Sequence, residues 1–173
     1  FVKNQKRMGV DEISKLLNNF MLNEINCNNF GIQGGDWGSM IGSKMSSDFP
    51  GNIKGLHLNF LSVPREFSTE EIYSAEEKIY FDELKKWKHN EMGYYYIQGT
   101  KPQTLSFALS DSPSGLAAWI AEKFYTWTDC EGVPENSVSI DRILANISLY
   151  WFTNSVGSSF WPYYARHNGV WPV

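Results

Sequence analysis

Asp36 stands within GGDWG, residues 34–38, where an apolar run meets an apparent helix. Small-x-acid-x-small between a strand and a helix is the layout of a nucleophile elbow. Gly34 and Gly38 would let the backbone pass close to its neighbours, while the central residue is lifted above the sheet edge on a strained turn. The backbone N–H of Trp37, at the start of the following helix, is placed to stabilise a developing oxyanion. A carboxylate in this position attacks saturated carbon by displacement and forms an alkyl ester, which suits strained epoxides and alkyl halides. The other reading is a turn in which Asp36 caps the helix. Short glycine motifs do not by themselves separate the two.

An elbow needs a strand before it and a helix after it. From Val10 to Ile25, apolar residues at Val10, Ile13, Leu16, Leu17, Phe20, Met21 and Ile25 mark one helical face. Asn28 and Asn29 end that helix, and Phe30-Gly31-Ile32 reads as a short buried strand broken by Gly34 and Gly35. Residues 37–47 resume as a helix with Met40, Ile41 and Met45 apolar, and Gly55 to Phe60 reads as a second strand. Helix, strand, glycine turn, helix, strand predicts an α/β fold with a parallel sheet. A parallel pair buried on both faces requires further strands beside it, beyond this sequence.

After Pro64 the pattern turns helical. Thr69 to Asn90 is charged, with Ile72, Ile79, Phe81, Leu84 and Trp87 as the buried side. Residues 110–128 predict a helix that begins near Asp111 or Ser112 with Pro113 in its first turn. Ser139 to Phe152 predicts another, followed by a loop. The expected architecture is part of an α/β core at 1–63, an inserted helical cap at 64–166, and a return to the core sheet at 167–173.

At 173 residues the chain can bury a sizeable core. Fifteen basic against nineteen acidic residues leave a net charge of −4 with no basic cluster, which argues against nucleic acid or an anionic membrane surface as partner. Cys27 and Cys130 are too few and too far apart for a metal site or a disulfide scaffold, and favour a reduced, intracellular chain. Ile143 to Ala165 carries no charge, yet Asn146, Ser148, Asn154, Ser155, Ser158, Ser159 and Pro162 rule out a lipid-facing helix there. Phe1 in place of Met and the apolar VWPV at the end predict cuts through something larger.

FGIQGGDWGS, KGLHLNF, GYYYIQGTKPQTLSFALSDSPSGLAAWIAEKFYTWT and LYWFTNSVGSSFWPYYARHNG occur in that order. Together they resemble the microsomal-type epoxide hydrolases, which include juvenile hormone epoxide hydrolases and bacterial and fungal relatives. The resemblance runs from about Phe30 to Val173. It implies an α/β-hydrolase core with a helical cap and Asp36 as nucleophile. It also implies two cap tyrosines that hydrogen-bond the epoxide oxygen: Tyr94, and Tyr163 by ungapped register, with adjacent Tyr164 as its rival. Phenols in a dry cap can stabilise an alkoxide without a metal. Apart from the resemblance, these tyrosines read as core packing with satisfied hydroxyls.

The resemblance implies no cofactor and no metal, a small apolar epoxide and water as reactants, and in eukaryotic members an N-terminal anchor. The expected location is then the endoplasmic reticulum membrane in a eukaryote and the cytoplasm in a bacterium. The family's HGWP loop, expected upstream, and its acid and histidine base, expected downstream, do not occur in these 173 residues. His57 reads as structural within the second strand, His89 as an exposed helix end, and His167 as part of the loop before VWPV. The expected activity is opening of an apolar epoxide to a vicinal diol through an ester on Asp36. Two rivals stand beside it: a haloalkane dehalogenase, which also uses Asp followed by Trp, and a non-catalytic homologue that binds apolar ligands.

Overall fold

The structure, a computed structural model, describes residues 8–61 and 73–169. The chain divides into two compact units, the break falling between Gly93 and Tyr94 and again between His167 and Asn168.

In the first unit, α1 (Val10–Asn19) starts where the Glu12 carboxylate accepts the Gly9 N–H at 2.8 Å, and it runs on through a π-helical turn at Phe20–Glu24. The helix therefore covers nearly the span expected from its apolar spacing, but of those apolar residues only Val10 is buried, with Ile13 and Met21 half-buried. Val10, Ser14 and Asn18, four residues apart, turn inward. Leu16, Leu17, Phe20 and Ile25 stay exposed. The inward face is set by α2 (Trp37–Asp48), which packs on α1. Lys44 of α2 reaches Asp48 at 2.7 Å and Asp11 of α1 at 3.5 Å. The hydrogen bond to Asp48, with Asp11 nearby, raises the Lys44 pKa above its ordinary value.

Strands β1 (Phe30–Gly34) and β2 (Ile53–Leu58) pair in parallel, with Ile32 opposite Leu56 and Gly34 opposite Leu58. They are the sheet among the described residues. The second strand thus begins two residues before the expected Gly55 and ends before Phe60. Helix α2 lies on both strands. Its buried residues are Ser39, Gly42 and Met45, while Met40 and Ile41 are half-buried. A Cβ at Gly42 would come 2.9 Å from Ile32 Cγ2 and 3.3 Å from Leu56 Cδ1, so absence of a side chain is what admits the sheet.

Helix α3 (Ala75–Glu91) opens with a capping box, Ser74 Oγ accepting the Glu77 N–H at 3.1 Å while the Glu77 carboxylate accepts the Ser74 N–H at 2.9 Å. Ile79 and Trp87, expected to be buried, are exposed, and Phe81 and Leu84 are half-buried. Ile72 lies outside the described residues.

The second unit is built from helices, with no strand among its described residues: the rest of α4 (Gly93–Thr100), α5 (Pro102–Asp111), α6 (Pro113–Trp127), α7 (Ile140–Phe152), the short α8 (Val156–Ser159) and α9 (Trp161–Asn168), with a turn-rich connection at 128–139 that holds one 3-10 turn at Pro134–Asn136. Ser112 ends α5 and caps α6, its Oγ accepting the Gly115 N–H at 3.0 Å with Pro113 in the first turn, as its sequence predicts. Leu109, Leu116, Ile143, Ile147, Val156 and Phe160 form the core. The loop expected after Phe152 is instead α8 and α9, so His167 lies on a helix. Pro162 does not prevent α9, because in the first turn its missing N–H has no helical partner to lose. VWPV lies outside the described residues. Among the described residues, no helix is long and apolar enough to cross a membrane.

Candidate active site

The turn from β1 into α2 puts Asp36 at φ 49° and ψ −122°. A non-glycine residue in the positive-φ region is costly to hold, and such residues concentrate at functional turns. Space explains the neighbouring glycines. A Cβ at Gly34 would overlap the Gly38 carbonyl, and one at Gly35 would overlap the Asn59 side chain. At Gly38 a Cβ would meet nothing within 4 Å, so the tight approach falls on Gly34 and Gly35 and not on Gly38. Two short bonds, Gly38 N–H to Gly35 O at 2.8 Å and Ser39 N–H to Asp36 O at 3.0 Å, close the turn into the helix. Buried Ser39 adds its hydroxyl to the Asp36 carbonyl at 2.7 Å.

The Asp36 side chain is exposed, and its Oδ1 accepts the Trp37 N–H at 2.6 Å. An ordinary N-cap reaches one or two residues further, to the second or third helical N–H. Here the carboxylate sits on the first, the donor expected to stabilise an oxyanion. One carboxylate oxygen is thus held at a helix N-terminus.

The candidate tyrosines lie in the second unit. Tyr94 on α4 and Tyr163 on α9 meet edge to face, with ring centroids 5.9 Å apart. Tyr94 also stands 5.3 Å from Trp127, and the Lys123 ammonium lies over both rings, 5.6 Å from the Tyr94 centroid and 4.8 Å from that of Trp127. The structure thus brings together two tyrosines that are 69 positions apart (163 − 94) in the sequence. Tyr164, the rival, is half-buried on the same helix.

The three histidines lie on three different elements. His57 pairs opposite Gln33 in the sheet, His89 lies in the last turn of α3, and His167 packs its Cβ toward Gly99. Among the described residues, no group of three or more His, Cys, Asp or Glu side chains is gathered to hold a metal ion. Asn59, Tyr95, Lys123 and Trp127 border these candidates without having been marked by the sequence. Only the place of Asn59 just beyond the second strand, at the same end as the elbow, could have pointed to one of them.

No protein-family model matches the chain. It is 38% identical over 156 residues to epoxide hydrolase 1 of Oryctolagus cuniculus, covering 75% of this chain and 33% of that protein. The crystal structure of juvenile hormone epoxide hydrolase from the silkworm Bombyx mori superposes with a TM-score of 0.71 at 32% identity, over 95% of this chain and 39% of that one. The Aspergillus niger epoxide hydrolase structure superposes with a TM-score of 0.74 at 30% identity, over 94% of this chain and 41% of that one. The fold is therefore part of an α/β-hydrolase of the epoxide hydrolase kind. The chain spans about a third of the length of the curated relatives it matches.

Proposed function

Because this chain is a relative of the epoxide hydrolases, spanning about a third of their length, we propose that it carries the ester-forming half of an epoxide hydrolase that opens apolar epoxides to vicinal diols. Asp36 Oδ2 attacks the less hindered epoxide carbon. The carbon–oxygen bond breaks, its electron pair goes to the oxygen, and the hydroxyls of Tyr94 and Tyr163 hydrogen-bond that oxygen and supply its proton. Oδ1, held by the Trp37 N–H, becomes the ester carbonyl oxygen. The tyrosine that gave the proton is left as a phenolate. Water then adds to the ester carbonyl carbon while a base takes one of its protons, and the same N–H stabilises the oxyanion. The departing alkoxide takes that proton to complete the diol, and the second proton of the water returns to the phenolate, which restores both the tyrosine and the carboxylate. That second step needs a base, and His57, His89 and His167 are given no such role. Residues 64–166 are assigned to the cap and 1–63 with 167–173 to the core.

The observation that carries this reading is the Asp36 turn: a positive-φ aspartate with its carboxylate on the first N–H of a helix. The test is rapid quenching of the full-length protein with styrene oxide, followed by digestion and mass spectrometry. One substrate mass should appear on the peptide that contains Asp36. Diol formation at a normal rate by a folded Asp36→Ala protein would remove Asp36 from the chemistry. Halide release from a haloalkane, with no diol from styrene oxide, would replace the epoxide reading with dehalogenation.

A further inference from the structure

The Tyr163 ring lies in a fork made by two consecutive residues. Its centroid is 5.9 Å from that of Tyr94 with the planes at 78°, and 5.8 Å from that of Tyr95 with the planes at 72°. Both contacts are edge to face, the arrangement that the ring quadrupoles favour. Successive positions on a helix point about 100° apart, so α4 closes on the Tyr163 ring from two directions. Arg166 follows Tyr163 by three residues on α9, and its guanidinium carbon lies 5.6 Å from the Tyr95 centroid. The backbone of Tyr163 is also confined. Gly99 is buried, and a Cβ there would come 3.2 Å from His167 Cβ and 3.5 Å from the Tyr163 carbonyl oxygen. The two helices thus meet where α4 presents no side chain of its own, Gly99 facing His167 and the Tyr163 carbonyl.

We propose that Tyr95, itself steadied by Arg166, is a positioning residue that aims the Tyr163 hydroxyl at the departing epoxide oxygen. This rests on the reading of Tyr163 as a donor. A phenolic hydroxyl sits at the end of a long lever, and a small turn about the Cα–Cβ bond carries it out of hydrogen-bonding geometry. A misplacement of about 1 Å in a reacting group can cost on the order of a hundredfold in rate. The Tyr94 contact alone restrains one side of the ring. Tyr95 restrains the other, and the cation over its ring restrains Tyr95 in turn.

The experiment measures the two half-reactions separately in the full-length protein with styrene oxide: the single-turnover rate of ester formation and the rate of ester hydrolysis. Tyr95→Leu should slow ester formation about three- to tenfold, the worth of one aromatic pair, and leave ester hydrolysis unchanged. Tyr95→Phe keeps the ring and should restore the rate, while Arg166→Met should show a smaller loss of the same kind. In a Tyr163→Phe background, Tyr95→Leu should add nothing, because the group it positions is gone. The proposal is overturned if Tyr95→Leu is silent, slows both half-reactions alike, or is equally damaging without the Tyr163 hydroxyl. If Tyr163→Phe itself leaves ester formation unchanged, the reading of Tyr163 as a donor fails first, and the proposal fails with it.

Discussion

Holding an aspartate at positive φ costs on the order of 1–3 kcal/mol, and Asp36 holds it on an exposed turn that contributes little packing. Asp36→Ala in the full-length protein should therefore leave the melting temperature near its original value and abolish diol formation. Equal turnover by the variant would make Asp36 an ordinary cap. The tyrosines make a different prediction. Tyr94→Phe and Tyr163→Phe should each slow ester formation on the order of a hundredfold, the loss expected for one donor to a developing oxyanion. The double change should be worse still, and the melting temperatures should move little because the rings and their edge contacts survive. Damage from Tyr164→Phe with a silent Tyr163→Phe, measured by the same quench assay, would shift the donor by one position.

At the scale of elements, the turn between β1 and α2 depends on glycine in a position-specific way. The Gly34 Cα faces the Gly38 carbonyl, which is backbone and cannot swing aside. Gly34→Ala should lower stability by about 1–3 kcal/mol, as overpacking does, and should lower activity with it. Gly38→Ala should be neutral or stabilise by up to about 1 kcal/mol, because open space surrounds that position and alanine favours helix. Thermal melts of the two variants decide it, and equal damage from both would contradict the geometry. The motif pointed to Gly34 and Gly38 as the close approaches, and the structure puts them at Gly34 and Gly35. Their ranking depends on which backbone or side-chain atoms from 38 and 59 come near, and that is not local information.

At the scale of the molecule, many large apolar side chains are uncovered in each unit. Leu16, Leu17, Phe20 and Ile25 are exposed on and just beyond α1, and Phe107, Leu149 and Phe152 are exposed in the second unit. Each strand of the pair has an edge with no neighbouring strand among the described residues. Such edges and faces favour association. The 173-residue chain expressed alone should self-associate, with light scattering reporting masses above 19.8 kDa that rise with concentration. A monodisperse species at 19.8 kDa that binds no hydrophobic dye would show that this surface is tolerated.

Much of the first unit was legible from spacing alone. The extent of α1, the order of strand, turn and helix, and the parallel pairing follow from local periodicity and glycine placement, both written in neighbouring residues. The helix starts near Ser112 and Ser139 were equally legible, since a helix start is a matter of a few adjacent groups, although only Ser112 makes a side-chain cap bond. The α1 face that is buried was not legible: an apolar stripe says which side can be covered, and only the position of α2 says which side is. Helix α4 was not marked either, because consecutive tyrosines favour strand by propensity and become helical here through packing. α8 and α9 escaped because serines and a proline look like loop until α5 and α4 lie against them. The candidate chemistry divides in the same way. Asp36 and Trp37 are neighbours in sequence, so their geometry is a property of one turn. Tyr94 and Tyr163 come together, with Tyr95 beside them, only because α4 and α9 cross where Gly99 has no side chain to hold them apart.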